Sequence, residues 1–196
     1  MPAYDLILAS QSPRRREILQ QIGVRFCVQS ADIEERHEAH EAAAQYAQRL
    51  AEEKALTVAR LRGDGIPVLG ADTIGVCAGH ILEKPVDESH ARAMLQQMSA
   101  TTHQVISALA ITNGEQLASA VCTTQVKFRA LTDAEIARYW QTGEPQDKSG
   151  GYAIQGFGAV FVESITGSYS NVVGLPIESL VPLLQQFAIP FWQTPT

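Results

Sequence analysis

Residues 5–16 read D-L-I-L-A-S-Q-S-P-R-R-R. Leu6, Ile7 and Leu8 form a short apolar run, the pattern of a buried strand. Small polar residues follow at once: Ser10, Gln11 and Ser12. Pro13 suits the first turn of a helix, where a missing N–H leaves no intrahelical bond unmade. Arg14, Arg15 and Arg16 come next. A strand that breaks into hydroxyl residues at a helix start presents free backbone N–H groups and the positive end of the helix dipole. With arginines beside it, that place suits phosphate. The plainer alternative is an ordinary Ser-Pro helix cap with solvated arginines. Either way, a buried strand running straight into a helix opens the chain as an α/β protein.

Working outward from this unit, strands and helices keep alternating. The first helix, residues 14–21, turns Ile18, Leu19 and Ile22 inward and stops at Gly23. Residues 24–29 alternate like a strand, and residues 30–40 form a polar, acid-rich loop. A long helix is predicted over 41–62, ending at Gly63, followed by an apolar, β-branched central strand over 67–76. Residues 87–98 read as a helix capped near Asp87 or Ser89. Residues 103–112 and 116–129 read as two strands joined by Asn113-Gly114, a strong hairpin signal. Thr132 begins another helix, with Glu135 placed for a capping box. A glycine-rich loop over 143–158, a strand over 159–165 and a helix over 176–187 complete the series. The hairpin rules out a purely parallel sheet, so the expectation is an α/β fold with a mixed sheet flanked by helices. With no repeat, low-complexity segment or linker, residues 1–196 read as one domain, or two small lobes without a hinge sequence.

Composition narrows the function. The chain has 196 residues, 45% of them hydrophobic, and a formal charge of −6. That balance argues against a protein that coats nucleic acid or an anionic membrane, either of which needs a basic face. Any anion is bound at a focused place. Cys27, Cys77 and Cys122 are an odd count without metal-ligand spacing, so neither a disulfide framework nor a zinc motif is supported. Free thiols in a reducing compartment are expected. No signal peptide or membrane-spanning stretch is read, and the expected location is the cytoplasm.

Several polar residues stand where the pattern calls for apolar ones. In the long helix, Ala47, Leu50, Ala51, Val58 and Leu61 make an apolar stripe, and Lys54 falls in its centre. Such a lysine either snorkels to water along the core edge or points its ammonium at a phosphate or carboxylate. Asp72 lies in V-L-G-A-D-T-I-G-V, inside a strongly apolar strand. A carboxylate there is costly unless it binds metal, pairs with a cation or performs catalysis. The bland alternative is a strand-end aspartate capping a turn. Thr73 points to the opposite face if the strand is regular, or to the same side if the strand ends there. Gly70 and Gly75 hint at close backbone approach.

Further along, Lys84 precedes Pro85 and so projects from extended backbone. Residues 147–156, D-K-S-G-G-Y-A-I-Q-G, suggest a loop that approaches a flat ligand and reads it through the Gln155 amide. Tyr152 and Ile154 indicate that this loop packs rather than floats. Residues 167–176, G-S-Y-S-N-V-V-G-L-P, lead into a helix N-terminus at Pro176, a second place for phosphate or ribose. His37 and His40 with Glu38 and Glu41 lack the H-E-x-x-H spacing and read as solvated residues at a helix start. None of Ser10, Ser12, Ser168 and Ser170 sits in a G-x-S-x-G elbow, which argues against serine hydrolase chemistry.

Taken in order, S-Q-S-P-R-R, I-E-E at 33–35, E-K-A at 53–55, G-A-D-T, L-E-K-P, D-K-S-G-G-Y-A-I-Q-G and S-Y-S-N-V-V-G-L-P closely resemble the Maf family over residues 6–184. These are nucleoside triphosphate pyrophosphatases once described as septum-formation inhibitors. The resemblance implies a fold akin to inosine triphosphate pyrophosphatases, with an elongated mixed sheet and a cleft between two lobes. It implies hydrolysis to the monophosphate and pyrophosphate with a divalent cation, Mg²⁺ or Mn²⁺. Arg14, Thr73 and Gln155 together resemble the branch that acts on dTTP and UTP. In the 7-methyl-GTP branch an aromatic residue, Gln and Glu tend to replace them. A glutamine amide can both donate and accept against a uracil or thymine edge, whereas a carboxylate suits guanine. Ser149 and Gly151 depart from the family's alanine-like residues but are equally small.

On this resemblance, Ser10, Arg14 and Arg15 cradle phosphates, while Lys54 and Lys84 neutralise the triphosphate. Glu35 and Asp72 hold the cation, and Asp72 directs water at the α-phosphorus. Whether Asp72 is base, metal ligand or both stays open at this point. Two other readings compete. One is a nucleotide sensor that regulates cell division without turnover. The other is a purine-selective pyrophosphatase, against which Thr73 and Gln155 argue. No interface signal marks a homodimer, and the true substrate among dTTP, UTP and modified pyrimidines is not readable.

Overall fold

The computed structural model describes residues 4–194. It contains seven strands: β1 (Leu6–Leu8), β2 (Phe26–Val28), β3 (Val68–Cys77), β4 (His80–Leu82), β5 (Thr102–Thr112), β6 (Leu117–Phe128) and β7 (Val162–Thr166). The α-helices are α1 (Pro13–Gln21), α2 (Ala43–Arg62), α3 (Glu88–Met98), α4 (Asp133–Gln141), α5 (Tyr169–Val173) and α6 (Ile177–Gln186). The sheet order is β2-β1-β3-β5-β6-β7, with β4 paired to β3. β1 runs parallel to β2 and β3, whereas β3–β4 and β6–β7 are antiparallel. The sheet is therefore mixed, as the sequence predicts. No helix among the described residues is long and apolar enough to cross a membrane.

The contacts divide the chain into two compact units. The first comprises residues 1–72, 107–122 and 174–196, and the second residues 73–106 and 123–173. In the first, β1 is wholly buried, as the apolar run requires, and Leu19, Leu50, Val58 and Leu69 are buried with it. α2 ends where expected, at Gly63 in the left-handed conformation, whose N–H bonds the Ala59 carbonyl. Gly70 of β3 explains how closely α2 approaches: a Cβ there would run into the Ala51 carbonyl and come within 2.7 Å of the Ala55 nitrogen.

In the second unit the core gathers Met94, Leu95, Met98, Val105, Phe128, Ile136, Tyr139, Tyr152, Ile154 and Phe161. Its rings pack edge to face, Tyr139 on Phe161 and Tyr152 on Phe128, each with centroids 4.8 Å apart. α3 is capped by Asp87, which accepts from the His90 N–H at 2.7 Å. α4 carries the predicted capping box. Thr132 Oγ1 accepts from the Glu135 N–H, and Glu135 Oε2 accepts from the Thr132 N–H. The loop predicted to pack does so, with Tyr152 and Ile154 buried.

Several expectations need correcting. Leu61 is not part of the α2 stripe. It is 70% exposed, because the last turn of the helix outruns the core, and Tyr46 and Ala55 complete the buried face instead. α2 begins at Ala43 rather than Glu41. The last strand begins at Val162. Residues 157–161 form a 3₁₀ turn, so Ala159 and Val160 are exposed and, of the three residues assigned to the start of the strand, Phe161 alone goes in. The strand β4 and the short helix α5 were not anticipated.

Candidate active site

The first unit assembles the misplaced polar residues of its own segments. α2 delivers Lys54 from the middle of its buried face, and β3 delivers Asp72. Lys54 Nζ lies 2.6 Å from Asp72 Oδ1 and 2.7 Å from Glu35 Oε1. The Lys54 and Asp72 side chains are only 10% and 11% exposed, whereas Glu35 is 45% exposed. One ammonium thus joins two carboxylates, one sunk and one open to solvent. Burying either Lys54 or Asp72 alone would leave a charge with no partner, so each accounts for the other's position. The strand-end alternative for Asp72 does not hold, because β3 continues to Cys77.

At the start of α1, Ser12 is the N-cap but its side chain makes no capping bond to the helix. Ser10 Oγ accepts from the Ser12 N–H at 3.2 Å and from Arg15 Nη1 at 3.0 Å. Arg15 is buried, and its Nε donates to the Gly174 carbonyl at 2.9 Å. Burial pulls its pKa down, while the charges of Asp72 and Glu35 push the other way. Arg14 is half-buried and makes no hydrogen bond or ion pair among the described residues. Arg15 is therefore built into the turn, with Ser10 as its partner, and Arg14 is the cation left available.

In the second unit, Lys84 is exposed and forms no ion pair among the described residues. Pro85 next to it is buried, fixing the base of that projection. The 3₁₀ turns at 144–147 and 149–151 shape the glycine loop, with Gly150 and Gly151 both at positive φ. Ser149 Oγ donates to the Leu82 carbonyl at 2.5 Å, tying the loop to the end of β4. Gln155 is exposed between buried Ile154 and half-buried Gly156. Thr73 follows Asp72 in an uninterrupted strand, the condition under which consecutive side chains alternate faces.

Sequence reasoning passed over two residues beside this loop. Tyr139 and Glu144 bond each other at 2.6 Å, and Glu144 receives backbone N–H groups from Phe157 and Gly158. No spacing signal marks Glu144, because two of its three partners are main-chain groups more than a dozen residues on. His37 and His40 are exposed ahead of α2, as expected. No cluster of three or more His, Cys, Asp or Glu suited to a metal occurs among the described residues.

A family model described as Maf-like protein matches residues 5–187. A protein named dTTP/UTP pyrophosphatase from Saccharophagus degradans is 50% identical over 192 residues, spanning 96% of this chain and 91% of that protein. A protein of the same name from Hahella chejuensis is 49% identical over 189 residues, spanning 95% and 94%. The one from Shigella sonnei is 48% identical over 183 residues, spanning 93% of each. Among solved structures, the Staphylococcus aureus Ham1 protein aligns with a TM-score of 0.50 at 12% identity, covering 93% of this chain and 97% of that one. That last likeness is one of fold alone.

Proposed function

This chain belongs to the Maf family, and from that premise we propose that it hydrolyses nucleoside triphosphates, preferring dTTP and UTP, to the monophosphate and pyrophosphate. The observation that carries the chemistry is the Lys54 ammonium lodged between Asp72 and Glu35. That contact sets a carboxylate and an ammonium side by side, the two kinds of group needed to orient a water and to offset phosphoryl charge. We assign Asp72 as the general base that directs water at the α-phosphorus, in line with the pyrophosphate leaving group. Lys54 and Lys84 offset negative charge on the triphosphate, the main task in phosphoryl transfer. Ser10, Arg14 and Arg15 take phosphate at the start of α1, with Arg15 also bracing Ser10.

The donor set suits a hard divalent cation. Glu35 and Asp72 would hold it, two carboxylates being the usual protein share for Mg²⁺ or Mn²⁺ when substrate phosphates complete the shell. Once bound, such an ion withdraws charge from the phosphoryl oxygens as a Lewis acid. Asp72 thus carries both assignments, base and ligand.

Gln155 reads the base edge in this proposal, supported by its exposure at the tip of a packed loop. Arg14 and Thr73 share that role on the strength of the family resemblance. We read the whole chain as one Maf-like domain, since each compact unit is built from separate stretches of sequence. We place it in the cytoplasm: Cys27, Cys77 and Cys122 are all free thiols, which suits a reducing compartment.

The test is a panel of canonical and modified nucleoside triphosphates with Mg²⁺ or Mn²⁺, scored for pyrophosphate against orthophosphate. Pyrophosphate from dTTP and UTP, with little from purines, is the expected outcome. Nucleotide bound without turnover would instead indicate a sensor, and purine-selective turnover would overturn the subtype.

A further inference from the structure

We propose that Glu144 is a positioning residue for base selection, holding the arc that carries Gln155 in a fixed shape; the proposal rests on Gln155 reading the base. Glu144 Oε1 accepts from the Tyr139 hydroxyl at 2.6 Å and from the Gly158 N–H at 2.9 Å. Glu144 Oε2 accepts from the Phe157 N–H at 2.9 Å. The Tyr139 oxygen in turn accepts from the Ala153 N–H at 3.2 Å. One Tyr139–Glu144 couple therefore grips the backbone before and after Gln155, leaving Ile154, Gln155 and Gly156 as the arc between the anchors.

The glycines of this loop make room for the grip. A Cβ on Gly156 would collide with the Glu144 carboxylate, and one on Gly158 would lie 2.8 Å from the Tyr139 hydroxyl. Burial pushes the Glu144 carboxyl up, but the Tyr139 hydroxyl and the Gly158 and Phe157 amides outweigh it and hold it below the usual range. The clamp is thus an anion receiving three donors, stronger than a neutral equivalent. Lys148 completes it from behind, donating to the Glu144 carbonyl at 2.8 Å. Tyr139 is itself fixed, its ring buried against Phe161. A base-reading amide needs this support, because discrimination through hydrogen bonds is lost when the reading group can swing to suit either base.

The experiment measures kcat/KM for dTTP and dGTP in the wild type, E144Q, Y139F, Q155A and E144Q/Q155A, with a thermal midpoint for each. Q155A is expected to cut the dTTP:dGTP ratio by about tenfold or more. E144Q cuts it in the same direction through the KM for dTTP, with kcat changing less than about threefold. Glutamine offers an N–H₂ where an anion received donors, so one backbone amide loses its acceptor. Y139F, which keeps the ring in the core, repeats the effect and decides the matter if E144Q fails to fold. The double variant falls no further than Q155A alone, because Glu144 acts through Gln155. A merely structural role would lower the thermal midpoint and the turnover of every nucleotide together, leaving the ratio unmoved, and that result overturns the proposal. Additive losses in the double variant overturn it as well. If Q155A moves the ratio and E144Q does not, only the clamp falls. If Q155A itself leaves the ratio unmoved, base reading by Gln155 falls first and takes the clamp with it.

Discussion

In the proposed mechanism the chemistry turns on Asp72 and Lys54, and each explains the other's position. A carboxylate in an apolar strand and a lysine in an apolar stripe are both costly alone. Paired at 2.6 Å they form one neutral couple with a second carboxylate at its open side. Asp72→Asn should cut pyrophosphate release by about 10²- to 10⁴-fold, the usual contribution of a positioned base. The thermal midpoint should move little, since Lys54 keeps Glu35 and the introduced amide oxygen still accepts from it. Turnover within a few-fold of wild type would remove Asp72 from catalysis.

Both residues were legible in the sequence because each broke a periodic pattern, and a broken pattern needs no knowledge of the partner. Their pairing was not legible, because it is made across separate elements. Arg15 illustrates the other limit. Its type and place announced an anion contact, yet only the structure shows its guanidinium bonded to the Gly174 carbonyl and to Ser10. Glu144 left no trace at all, since two of its three donors are backbone amides, which any residue type supplies, and the third is a tyrosine hydroxyl on another element.

At the level of elements, the fit of α2 on β3 sets the distance between Lys54 and Asp72. Gly70 is the contact point, and its backbone faces the Ala51 carbonyl with no space for a methyl group. Gly70→Ala should destabilise the protein by about 1–3 kcal/mol through overpacking. It should also lower kcat, because α2 must retreat from the strand that carries Asp72. Urea unfolding and steady-state turnover on the same variant check both effects; a stable variant with full activity would show that the approach of α2 is not critical.

β5 carries a second testable element. His103 is buried there, its Nε2 2.8 Å from the Tyr152 hydroxyl and its ring against Phe128. Burial lowers its pKa to about 4 from an ordinary 6.5. The folded state therefore keeps it neutral where the unfolded chain protonates it. Its contribution is intact above about pH 6.5, drains away as pH falls and is spent near pH 4, amounting to about 3 kcal/mol. Unfolding free energies of wild type and His103→Gln between pH 7 and 4 should show a shallower slope in the variant. Parallel slopes would mean that His103 does not carry this acid sensitivity.

Helix ends and hairpin were legible from chemistry that is local: Gly63, Asp87, the Thr132–Glu135 box and Asn113-Gly114. The 3₁₀ turn at 157–161 was not. Ala159, Val160 and Phe161 read like the start of the last strand, while tertiary packing buries only Phe161 of the three. Leu61 failed for the related reason that periodicity gives a face but not where the core beneath it stops.

Across the whole molecule, the ordered set of short motifs carries more than any one of them. Each is explicable by a cap, a loop or a core lysine, but their joint order matches a family whose relatives share about half their residues with this chain over nearly its full length. The fold supports the same reading at lower resolution, through a mixed sheet flanked by helices. What ties these scales together is one claim, that this chain delivers water to the α-phosphorus of a pyrimidine nucleoside triphosphate. The most direct measurement is hydrolysis of dTTP in ¹⁸O-labelled water, with the products separated and weighed. The account predicts label in the monophosphate and none in the pyrophosphate. Label in pyrophosphate, or release of orthophosphate in its place, would contradict it.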